Sequence, residues 1–180
     1  KILLVDLYGG EPLLVKNLPE IVSYFSANGR LTNITTNGFL LKKKIKQLTD
    51  AGVSSINVSI YDENLHILEH NLENINKVFR VNASIVLFGT QIREAQDKIL
   101  DQVRFVHDAG CRSLRFYIYR PMDDNPNMND VIYEEDSDLI NFKSRVDALF
   151  PGFILWPKLI EKDSWNNKTC AQLWQRVNID

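Results

Sequence analysis

Ser55-Ile56-Asn57-Val58-Ser59-Ile60 alternates polar and apolar residues at every step. In an extended strand a period of two sends one set to each face of the sheet. A parallel strand sandwiched between two helix layers reads as almost uniformly apolar. The polar set therefore predicts a sheet with helices on one side and a wet interior on the other. Leu31-Thr32-Asn33-Ile34-Thr35-Thr36 is half polar in the same way. Outward from these two, β-like runs occupy residues 2–8, 31–36, 55–60, 82–88 and 113–119, and Phe153-Ile154-Leu155-Trp156 is a candidate sixth.

Helical periodicity fills the intervals. Ile92, Ala95, Ile99, Val103 and Val106 recur at steps of three and four, and Leu65, Leu68, Leu72, Ile75 and Phe79 predict a similar helix after the third strand. Ala27-Asn28-Gly29, Asp50-Ala51-Gly52 and Asp108-Ala109-Gly110 each place glycine where a helix stops, just before the next strand. Repeated βα units imply parallel strands joined by right-handed crossovers. A complete (β/α)₈ barrel needs roughly 250 residues. The 180 residues here predict an α/β fold of partial-barrel type, with a lumen wide enough for a ligand.

Composition narrows the function classes. The chain is 44% hydrophobic with formal net charge -2, from 21 Lys+Arg against 23 Asp+Glu, which offers no basic footprint for a nucleic acid. No apolar run approaches the roughly 20 residues of a membrane span and no signal peptide is visible, so the default setting is cytoplasmic. Two cysteines, Cys111 and Cys170, cannot by themselves hold a four-thiolate zinc or iron–sulfur site. The chain opens at Lys1 and ends on Val177-Asn178-Ile179-Asp180, which reads as a piece of a longer polypeptide.

Chemistry-bearing residues gather at strand ends. Gly9-Gly10-Glu11-Pro12 follows the first strand. Paired glycines there let backbone carbonyls and N–H groups approach a ligand, at the edge of a parallel βα fold where function sits. Thr35-Thr36-Asn37-Gly38 closes the second strand, and Val58-Ser59-Ile60-Tyr61-Asp62 closes the third. Separately, the first two are also ordinary turn sequences.

In combination and order, these elements resemble the radical S-adenosylmethionine (radical SAM) superfamily with its GGEP, TNG and S-[LI]-[DY] elements. The resemblance implies a partial (β/α)₆ barrel, of which residues 1–150 would supply strands two to six and lack the first strand with its cluster loop. Residues 151–180 would carry the last strand and the start of a SPASM- or twitch-like extension. It further implies an oxidoreductase in which a [4Fe–4S] cluster cleaves SAM reductively to a 5′-deoxyadenosyl radical, with an electron donor as partner. Gly9, Gly10 and Glu11 would offer backbone acceptors to the SAM ammonium, which a buried cation requires. Thr36, Asn37 and Gly38 would stand near the same moiety, Ser59 would meet the carboxylate or ribose, Asp62 would lie at the rim, and the backbone at Tyr119 would meet adenine. The family's CxxxCxxC is absent, and its expected place is upstream of Lys1. The family's carboxylate-pairing Arg is also missing, with His66, His70, Asn71 and Asn74 in its helix instead.

Cys170 resembles an auxiliary-cluster ligand and points towards a peptide or protein substrate. Residues 123–130 form an acidic loop that is a candidate lid over that substrate. Two alternatives stay open. One is a degenerate, non-catalytic relative. The other is a zinc hydrolase built on His66-Ile67-Leu68-Glu69-His70, which matches H-x-x-E-H with Glu73 as a third ligand, although the apolar stripe of that helix leaves both histidines on its outer flank.

Overall fold

A computed structural model of the chain describes residues 3–120 and 127–157. Its centre is one sheet of β1 (Leu4–Leu7), β2 (Leu31–Thr36), β3 (Ser55–Ser59), β4 (Arg80–Leu87), β5 (Leu114–Ile118) and β6 (Ile154–Leu155). Each strand pairs in parallel with the next, in strictly sequential order. A doubly wound sheet needs a reversal of strand order, whereas sequential right-handed crossovers leave every helix on the same face. The sheet is thus an open, barrel-type one, as the polar strand faces predict.

The helices are α1 (Leu18–Ala27), α2 (Leu41–Ala51), α3 (Asp62–Glu69), α4 (Leu72–Asn76), α5 (Gly89–Glu94), α6 (Gln96–Asp108) and α7 (Ser137–Leu149). They cover the apolar side of the strands. Ile34, Ile56, Val58, Val81, Ala83, Leu114 and Phe116 are buried beneath them, as are Leu41, Leu48, Leu72, Ile99 and Val103 from the helices themselves. Burying each of the Val, Leu, Ile and Phe side chains contributes about 1.5–3 kcal/mol. Phe116 and Phe142 pack with Trp156, whose indole donates to Asp147 at 2.8 Å, and so fasten α7 over β5.

The expected helix-terminal glycines Gly29, Gly52 and Gly110 all adopt positive φ. Both long predicted helices, however, are broken in two. The second is interrupted at Ala95, whose φ of -140° and ψ of 33° leave the helical region. The first breaks between Glu69 and Leu72, where Asn71 donates from its side chain to the Ile67 carbonyl at 2.6 Å and the His70 ring meets the His66 carbonyl at 2.9 Å. Local side-chain bonds of this kind compete with the helix for its own carbonyls. The apolar stripe continues across both breaks, which is why periodicity alone does not reveal them. Among the described residues, no helix is long and apolar enough to cross a membrane.

Candidate functional site

The open side of the sheet lines a cavity of about 600 Å³. Its wall is the polar set of the alternating strands: Asp6 from β1, Asn33 and Thr35 from β2, Ser55, Asn57 and Ser59 from β3, Asn82 and Ser84 from β4. Ser113, Arg115 and Tyr117 continue it on the β5 side. Neighbouring strands satisfy each other across this wall. Ser55 donates to Asn33 at 2.8 Å, Asn57 to Ser84 at 3.1 Å and Ser113 to Asn82 at 3.0 Å. Such cross-strand pairs hold register while keeping the lumen hydrophilic. Among the described residues, Arg115 is the one guanidinium on this wall.

At the mouth, the turn after β1 is tied to the end of β2. The Glu11 carboxylate accepts from the Leu13 N–H at 3.0 Å, the Thr36 hydroxyl at 2.7 Å and the Asn37 N–H at 2.9 Å. Thr36 in turn accepts from the Gly38 N–H at 3.1 Å. The side chains of Glu11 and Thr36 are therefore spent on the scaffold, and what remains for a ligand is the backbone they position. Gly9 has φ 114°, and a Cβ at either Gly9 or Gly10 would meet nothing within 4 Å. The open space at both positions leaves their backbone accessible, as close approach of a ligand such as the methionine end of SAM requires. Gly38 differs. Its φ is 80°, and a Cβ there would come within 2.8 Å of Leu68, so packing of α3 demands this glycine.

Ser59 lines the lumen as expected, and its hydroxyl meets Ser84 at 3.5 Å. The Tyr119 N–H donates to the Leu87 carbonyl at 2.9 Å, and its ring stacks on Phe88 with centroids 5.2 Å apart. Asp62 does not reach the rim. As the first residue of α3 it pairs outward with Lys98 and accepts from Gln102 at 2.9 Å, both on α6. A residue beginning a helix faces the helix layer rather than the strand's inner face, which the sequence pattern at a strand end does not distinguish.

The described end of the candidate lid is fastened outside the lumen. Asp130 accepts from the N–H and hydroxyl of Thr90, and Arg93 donates to the Asn129 carbonyl and pairs with Asp136. Residues 121–126 and Cys170 lie outside the described residues. Cys111 is buried, and burial pushes its thiol up from the ordinary range, which suits a core residue rather than a cluster ligand. The described residues therefore do not fit a [4Fe–4S] cluster. Nor do they include any group of three His, Cys, Asp or Glu that could hold a metal ion. His66 and His70 are exposed on the outer helix, where the His70 ring is already engaged. His66, His70, Asn71 and Asn74 do not line this cavity.

Sequence reasoning missed Asn64. This residue is fully buried on α3 and donates to the carbonyls of both Asn37 and Ser59, at 2.7 Å each. The lone signal was a polar residue on the buried side of an amphipathic helix.

The fold and this mouth define an open α/β barrel that presents strand-end backbone above a polar lumen. No family model matches the chain. It is 33% identical over 129 residues to a GTP 3′,8-cyclase of Aquifex aeolicus, covering 64% of this chain and 40% of that protein. A GTP 3′,8-cyclase of Helicobacter pylori is 34% identical over 113 residues, covering 56% and 35%. The chain thus spans well under half the length of these relatives. In fold it is similar to SuiB of Streptococcus suis in a structure bound to S-adenosylmethionine, with TM-score 0.62 and 16% identity over 86% of this chain and 39% of that one. Archaeal TYW1 is a further fold neighbour, with TM-score 0.57 and 18% identity over 81% of this chain and 49% of the other. The two solved structures share the fold of this chain over 86% and 81% of its length.

Proposed function

We propose that the chain is the SAM- and substrate-holding barrel of a radical SAM enzyme whose cluster ligands lie outside the described residues. The observation that carries this reading is the mouth itself. The Gly9-Gly10 turn, with its backbone open, is locked through Glu11 to the end of β2 in a sheet whose inner face lines a polar cavity of about 600 Å³. The backbone of Gly9, Gly10 and Glu11 would receive the SAM ammonium, Asn37 and Ser59 would flank the methionine moiety, and the Tyr119 backbone would lie by adenine. When bound and reductively cleaved, SAM supplies a 5′-deoxyadenosyl radical, with the electron coming from an external donor. The chain's share is to orient both reactants and exclude water.

The reading of a peptide or protein substrate rests on Cys170. A second reading, a small anionic substrate, is favoured by Arg115, which shares the lumen wall with Ser84, Ser113 and Tyr117 and with Asp6 on β1, and would pair with a phosphate or carboxylate. Relatives named for a reaction of GTP agree with it. The deciding experiment is anaerobic reconstitution of the full-length protein with iron and sulfide, followed by SAM and dithionite. We expect a brown protein that releases 5′-deoxyadenosine, measured by chromatography. A colourless protein that leaves SAM intact would overturn the proposal.

A further inference from the structure

The ladder between β2 and β3 ends at the pair Thr36 and Val58. One step further along each chain come Asn37, just past β2, and Ser59, the last residue of β3. Two acceptors left facing each other without a donor in a dry setting would repel and splay the strand ends. A single nitrogen prevents this, because the Asn64 side-chain amide donates one hydrogen to each carbonyl, both at 2.7 Å. Its oxygen accepts from the Tyr61 N–H at 2.9 Å, so the group is satisfied on both sides and orients itself. Asn64 is 0% exposed, so the group is shielded from bulk water.

Only asparagine meets these demands. Two hydrogens on one atom, at this reach, are not available from serine, histidine or aspartate, and glutamine is one methylene too long. The clamp also closes a relay. Glu11 holds the Asn37 N–H, Asn64 holds the Asn37 and Ser59 carbonyls, and the Ile60 N–H donates to the Ser84 carbonyl at 2.8 Å. One chain of bonds thus runs from the glycine turn to β4.

We propose that Asn64 is a positioning residue for the SAM site, acting by fixing the spacing of the β2 and β3 ends at Asn37 and Ser59. This role rests on the radical SAM reading of the mouth. Asn76 supplies a matched control, since its side chain donates to the Ala109 carbonyl at 2.8 Å away from the lumen wall. In the reconstituted full-length protein, Asn64→Ala should weaken SAM binding, measured by equilibrium dialysis, by roughly tenfold or more, the scale of a lost buried hydrogen-bond partner. Asn76→Ala should lower the thermal midpoint without weakening SAM. Asn64→Asp should bind SAM as poorly as Asn64→Ala, because a carboxyl group carries at most one hydrogen and cannot serve both carbonyls.

Unchanged SAM affinity in Asn64→Ala, or an equal loss in Asn76→Ala, would overturn the proposal. If the Asn64 variants do not fold, the unsubstituted protein decides. SAM should slow amide exchange at residues 37–39 and 59–61 together, and unchanged exchange there counts against the clamp. Absence of SAM binding by the unsubstituted protein would instead remove the functional reading beneath it.

Discussion

The Glu11 carboxylate accepts three hydrogen bonds from two separate segments. Glutamine would keep the shape but turn an N–H₂ towards donors. Glu11→Gln should therefore cost about 1–3 kcal/mol, read as a lower urea midpoint, and should weaken SAM binding because the Gly9-Gly10 turn loses its tie to β2. Gly38→Ala should also destabilise, by about 1–3 kcal/mol from left-handed backbone and crowding of Leu68, with the same midpoint as its measure. At this scale the motif residues were legible as positions but not as roles. Glu11 and Thr36 stand out in sequence as candidates, and the bond between their side chains that ties the first turn to β2 is visible only in the fold. Asn64 carries no motif at all, because its partners Asn37 and Ser59 lie 27 and 5 residues away and meet it only in the fold.

Among the elements, α5 is pinned by the segment that follows β5. A side chain at Gly89 would collide with the carbonyls of Asn129 and Val131. Gly89→Ala should thus release residues 127–131 from α5, seen as faster amide exchange there while the strands stay protected. Equal exchange in variant and parent would show that the segment is held by Thr90 and Arg93 alone. The strands were the most legible elements, since β2 spans the residues its polarity marks and β3 ends within one residue of expectation. Helix continuity was not, because Asn71 and Ala95 interrupt helices whose buried stripes run on unbroken. The acidic segment reads as a lid in sequence, yet charge does not say which wall a loop meets.

Across the whole molecule, burial governs the behaviour of Cys111. Desolvation raises its thiol above the ordinary range, and the weak contact from Asn76 only partly offsets this. The protonated thiol therefore contributes stability that is intact below the unfolded-state value and is lost as pH rises through the higher folded one. Comparing urea midpoints of the parent and Cys111→Ala should show the parent losing relative stability at alkaline pH. Peptide mapping after brief iodoacetamide treatment at neutral pH should find Cys111 unlabelled until urea is added. By itself, the sequence determined the βα repeat, the polar inner face and the glycine-rich strand ends. These follow from local periodicity and backbone freedom, which neighbours along the chain express directly. Only the tertiary structure decided that Asp62 faces α6, that Glu11 binds β2, and that Asn64 joins two strand ends. Those outcomes depend on which distant donors and acceptors the curvature of the sheet brings within hydrogen-bond reach.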